Sequence, residues 1–241
     1  MKDWLAPKYV DWLWQGFALT LGLSVSVIIV ATCLGFGLAL GRNSSSPVLR
    51  RAAALYVLIF RNSPLLVQLL FLYFGVATLL PDAAVTWLNS PHRISLGPIH
   101  LHWPAFEFVA GFIGLTLYST TFVGEEFRAG LRGVPISQYQ AASALGLTPF
   151  ATFKHVVLPQ AVRKALPSLF GQYMNIVKNS SLTMSIGLAE LSYSARQVDT
   201  ETFKTFQAFG AATILYIATI AVLETLLLLI QHRNKHKMAR G

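Results

Sequence analysis

Long apolar runs alternate with short polar segments along the chain. A helix of roughly 20 apolar residues crosses a hydrocarbon core of about 30 Å, and five segments approach that length: about 17–40, 55–80, 105–124, 166–189 and 206–230. The pattern predicts an all-α integral membrane protein of about five transmembrane helices. It also divides the chain into an outer N-terminal segment 1–15, a membrane domain 16–230 with a cytoplasmic loop at about 133–165, and a basic tail 231–241. The first run is too long for a secretory h-region, so it reads as a retained span.

Composition agrees with a lipid environment. Of 241 residues, 54% are apolar and 12% charged, against about 25% charged in a soluble domain. The formal charge of +9 raises nucleic acid as a partner, but the basic residues sit between the apolar runs. Arg42, Arg50, Arg51 and Arg61, then Arg128, Arg132, Lys154, Arg163 and Lys164, then Arg233, Lys235, Lys237 and Arg240 fall on one side of the alternation. Lys2, Lys8, Arg93, Arg196 and Lys204 fall on the other. The positive-inside bias places the N-terminus outside and the C-terminus in the cytoplasm. Cys33 is the single cysteine, so no intrachain disulfide forms. His92, His100 and His102 share an outer loop with Trp87 and Trp103. With no cysteine and few acids nearby they read as bystanders, and no metal site is expected.

Punctuation in the cytoplasmic segment describes two short helices and a tight turn. Ser137 and Gln140 have the spacing of a capping box, and Gly146 suits the left-handed residue that ends a helix. Thr148 and Pro149 restart the next helix as N-cap and first residue, which Pro159 is expected to end or kink. Pro64 is expected to kink the second span for the same reason.

The fourth span carries a stripe. Gln172, Asn175, Asn179 and Thr183 recur at helical spacing, with Lys178 and Ser181 beside them. Polar groups at membrane depth face a cavity or a partner. The stripe therefore lines a translocation path, packs against a second subunit, or does both. Arg61 and Gln68 flank Pro64 and join the candidate path, although Arg61 is also long enough to snorkel to the interface. Glu125 and Arg128 are spaced to pair on one helical face, and Glu224 is an acid in the fifth span without an assigned role.

Gln140-Ala141-Ala142, Ala144-Leu145-Gly146 and Val156-Val157-Leu158-Pro159-Gln160-Ala161 resemble the EAA loop of binding-protein-dependent ABC permeases. Gln140 stands where that family has glutamate. Arg61-Asn62-Ser63-Pro64-Leu65-Leu66-Val67-Gln68, the Glu125, Arg128 and Gly130 spacing, and Lys178-Asn179-Ser180-Ser181-Leu182 are similar to motifs of the polar amino-acid branch, closest to glutamate/aspartate permeases. The resemblance implies the type I permease fold and a bacterial inner-membrane location. It implies that Gln140, Ala141, Ala142, Leu145, Gly146, Leu158 and Pro159 form a loop docking on a separate ATPase. It implies two ATP-binding subunits, a second permease (identical or paralogous) and an extracytoplasmic binding protein as partners. No cofactor is expected on this chain: it has no G-x-x-x-x-G-K-[ST] loop, so ATP belongs to the partner. A membrane-embedded enzyme and a proton-coupled carrier are the competing classes. The first lacks a catalytic constellation and the second an evident inverted repeat.

Overall fold

The computed structural model describes the backbone of residues 4–90, 93–96, 99–102 and 105–238. Among the described residues the chain is helical apart from turns and one hairpin. Helix α1 (Pro7–Arg42) begins well before the expected start near residue 17, because Pro7 is suited to a first helical turn and the buried Leu5 and Leu13 anchor this end. Helix α2 (Pro47–Asn62) is followed by α3 (Leu65–Leu70), a π turn (Phe71–Gly75) and a 3-10 turn (Ala77–Leu79). Helix α2 ends at Asn62 and α3 starts at Leu65, a break set by Pro64, whose ring and missing N–H interrupt the ladder. Helix α4 (Asp82–Asn89) leads to an antiparallel hairpin, Arg93–Leu96 opposite Ile99–His102. This hairpin departs from the all-α expectation; each arm alternates apolar and polar residues, the two-residue period of a strand. His92, Trp103 and Arg240 lie outside the described residues, as do the side chains of His100 and His102.

Helix α5 (Phe106–Arg132) leads to α6 (Ile136–Ala144) and α7 (Pro149–Thr152), and a π turn (Phe153–Val157) runs into α8 (Leu158–Asn179). A 3-10 segment (Ser180–Ile186), α9 (Leu191–Thr202) and α10 (Thr205–Met238) complete the chain. By length and composition α1, α5 and α10 suffice to cross a membrane, and α2 with the segment after it makes a fourth if the pair counts as one span. The expected span at 166–189 is instead α8 and the 3-10 segment, whose polar residues leave it less apolar than the other spans. Glu224, the acid in the fifth expected span, is exposed on α10.

The chain divides into two compact units. The first comprises Met1–Val27, Ser63–Tyr118 and Ile176–Ile217; the second comprises Ile28–Asn62, Ser119–Asn175 and Ala218–Gly241. The core of the first unit joins Leu5 and Leu13 to Leu191, Ala195 and Val198 of α9 and to Ala208 and Ala212 of α10. In the second, Ala39, Val123, Phe127 and Leu131 meet Val157, Ala161, Ala165 and Leu169. Small residues bring α5 and α8 together there: a Cβ on Gly130 would lie 2.5 Å from the Ala161 carbonyl oxygen. Close backbone approach is how helices associate where lipid is as apolar as the side chains.

Candidate functional site

In the second unit the segment 133–159 forms an outward-facing knob. Helix α6 starts at Ile136 behind Pro135, which occupies the N-cap position and makes no side-chain cap bond. The expected Ser137–Gln140 capping box is therefore absent, since proline has already set the extended entry and Ser137 falls inside the first turn. The end of the helix matches expectation: Gly146 has φ +77°, and its N–H reaches the Ser143 carbonyl. Thr148 then caps α7 by accepting from the Ala151 N–H at 3.3 Å, with Pro149 following it. Pro159 does not end the helix. The π turn just before it widens the ladder and accommodates the missing donor. Gln160 ties α8 back to α6 through Gln138 at 3.1 Å, and Lys164 Nζ donates to the Gly133 carbonyl at 2.5 Å.

These ties leave apolar side chains in the open. Leu145 is 82% exposed and Phe150 73% exposed, on either side of the turn. Gln140 and Ala141 are also exposed, whereas Ala142 is buried, Leu158 is half-buried and Pro159 is exposed. A rigid pair of short helices presenting exposed Leu and Phe matches a docking surface better than a passive connector.

The candidate path residues separate into groups. In the second unit Asn175 donates to the Gln172 amide oxygen at 3.4 Å, and Gln172 donates to Glu126 at 3.0 Å. Glu126 is thus drawn into the stripe by a fold-level contact absent from its own helical spacing. Glu125 takes Arg128 at 2.9 Å, the pair expected from spacing, and also Arg42 at 3.5 Å. Exposed Arg61 lies with its guanidinium carbon 5.8 Å from the Phe122 ring centre. In the first unit the Gln68 amide donates to the Ser63 carbonyl at 3.1 Å and to its hydroxyl at 2.7 Å. Gln68 therefore secures the break at Pro64.

Thr183 does not continue the stripe. The chain tightens into a 3-10 segment after Asn179, so the period falls from 3.6 to 3.0 residues per turn and Thr183 rotates into the core. It is fully buried, with its hydroxyl on the Ser180 carbonyl at 2.6 Å. Asn179 ends α8 half-buried. Lys178 and Ser181 instead line a groove of about 270 Å³ with Ser192, Phe209, Ala212, Thr213 and Tyr216.

Behind the groove lies fully buried Glu190. Its Oε1 accepts from the Tyr193 N–H at 2.9 Å, which caps α9, and its Oε2 accepts from the Tyr216 hydroxyl at 2.8 Å and the Thr20 hydroxyl at 3.3 Å. Thr20 Oγ1 in turn accepts from the Leu191 N–H at 3.1 Å. One carboxylate thus fastens α1, α9 and α10. Sequence reasoning missed this group because its bonds span up to 171 positions; a lone acid just before an amphipathic helix was the only local signal.

A family model described as binding-protein-dependent transport system inner membrane component matches residues 31–240. The glutamate/aspartate import permease protein GltJ of Escherichia coli (strain K12) is 30% identical over 93% of this chain and 88% of its own length. The histidine/lysine/arginine/ornithine transport system permease protein HisM of Salmonella typhimurium is 31% identical over 92% and 90% respectively. A solved amino acid ABC transporter superposes with a TM-score of 0.78 at 27% identity, covering 94% of this chain and 95% of the other. A MetNI methionine ABC transporter chain, at 16% identity and a TM-score of 0.73, shares the fold.

Proposed function

The chain belongs to the binding-protein-dependent transport system inner membrane components, and from that premise we propose that it is the permease subunit of an ATP-driven importer of polar amino acids. Glutamate and aspartate are the first substrates to test, given the relative that is named for them. The single observation that carries the coupling is the knob with Leu145 and Phe150 in the open. A partner ATPase receives it in an apolar cleft, and Gln140 in place of the family glutamate removes a charge from that contact. ATP binds and is hydrolysed on the partner, and this chain binds no cofactor.

In the working assembly a second permease, identical or paralogous, pairs with this one in the lipid bilayer, and an extracytoplasmic binding protein delivers the amino acid. In this reading the N-terminus lies outside and the C-terminus in the cytoplasm, which the bias of the basic residues supports. Closure of two ATPases moves the knobs and switches the path between inward-facing and outward-facing states.

The test is uptake of labelled polar amino acids into vesicles holding this chain, the second permease and the ATPase, with binding protein outside and ATP inside. Uptake is expected to require ATP and to be lost in Gly146→Val, since a β-branched residue at φ +77° disrupts the turn. Uptake that ignores ATP and follows a proton gradient overturns the proposal in favour of a secondary carrier.

A further inference from the structure

We infer that the groove of Lys178, Ser181, Ser192, Thr213 and Tyr216 in the first unit is a subsite for the α-ammonium and α-carboxylate of an amino acid, recognising the part that all such substrates share. The inference rests on the proposed function and adds Ser192, Thr213 and Tyr216 to the path residues Lys178 and Ser181 read from the sequence.

Hydroxyl protons decide the polarity of the groove. Ser181 Oγ donates to the Lys178 carbonyl at 2.7 Å, and Thr213 Oγ1 donates to the Phe209 carbonyl at 2.7 Å. Tyr216 donates its one proton to Glu190, so in the 3.2 Å contact between Ser192 and Tyr216 the serine is the donor. All four hydroxyls have therefore committed their protons within the protein, and what remains on them is lone pairs. An ammonium, with three N–H donors and no acceptor, is the complementary group. Fully buried Glu190 lies one hydroxyl behind and accepts the Tyr216 proton, which strengthens the acceptor character of that wall.

Lys178 supplies the opposite pole. Its side chain is exposed to the groove and forms no ion pair within 4 Å among the described residues. It is costly at membrane depth unless an anion or water meets it, and a carboxylate is the natural ligand for its three donors. A volume of about 270 Å³ lies just below the roughly 300–1,000 Å³ of drug-sized sites, the scale of one amino acid. Glu190 acts as a positioning residue: by taking the Tyr216 proton it leaves the phenolic oxygen as an acceptor.

The experiment measures binding of labelled glutamate to the purified permease–ATPase complex without binding protein, with 4-aminobutyrate (no α-carboxylate) and glutarate (no ammonium) as competitors, and ATP-driven uptake by the complete importer in parallel. Wild type should prefer glutamate over each competitor by about tenfold or more, the scale of one charge-assisted contact. Lys178→Gln should weaken glutamate about tenfold and erase the preference over 4-aminobutyrate, and Lys178→Arg should restore most of both. Tyr216→Phe and Glu190→Gln should lower the preference over glutarate while keeping that over 4-aminobutyrate, a split that a loss of folding does not produce. Unchanged affinities and preferences in Lys178→Gln and Tyr216→Phe, with uptake intact in wild type, overturn the subsite alone. Absence of ATP-driven amino-acid uptake in wild type overturns the proposed function and the subsite with it.

Discussion

The knob of the second unit and the Glu190 junction of the first are both held by a few polar bonds, but they are assembled on opposite principles. The turn between α6 and α7 is local: the Thr148 cap spans three positions, and the Gly146 N–H closes on Ser143. The junction joins Thr20, Glu190 and Tyr216 across 170 and 26 positions. A local device shapes a surface, and its loss is confined there. A buried non-local one holds three helices together, and its loss spreads.

The contrast orders the expected damage. Glu190→Ala should be the most severe change, because it leaves the Tyr193 N–H and the Tyr216 and Thr20 hydroxyls without their acceptor. At about 1–3 kcal/mol for each buried group left unsatisfied, a loss of several kcal/mol is expected, read as a large drop in the midpoint of thermal unfolding in detergent. A drop no greater than that of a surface change would show that the junction is not a fastening point. Gly130→Val comes next. It forces α5 away from Ala161 and Ala165, and overpacking of this kind costs about 1–3 kcal/mol, with a lower unfolding midpoint as the readout. Thr148→Ala should be mildest, near 1 kcal/mol for a lost cap, and should show faster amide exchange confined to 150–152. Exchange that quickens throughout the second unit would erase the distinction between the two regions.

The same distinction explains what the sequence made legible. Gly146, Thr148 and Pro149 act through dihedrals and bonds within a few residues, and Pro64 acts on its own helix, so each could be read without knowing the fold. Expectations failed where a neighbour competed or the helical period changed. Pro135 occupied the N-cap position that Ser137 was expected to take, and the 3-10 segment turned Thr183 from the stripe into the core. The π turn absorbed Pro159, which periodicity alone treats as a stop. Of the candidate path, Lys178 and Ser181 were visible as polar residues in a span, whereas their groove partners Ser192, Thr213 and Tyr216 reach them only through the packing of α9 and α10. The hairpin at 93–102 was hidden within a loop whose polar and turn residues outweighed its short alternation.

Replacing the exposed apolar pair of the knob, Leu145→Asp with Phe150→Asp, tests the central claim most directly. These side chains are held by nothing in the chain's own core, so the unfolding midpoint of the permease should stay within the usual range for surface changes. Co-purification of the ATPase and ATP-driven uptake should both be lost. An unaltered yield of bound ATPase together with wild-type uptake would contradict the claim that this knob couples the chain to its motor.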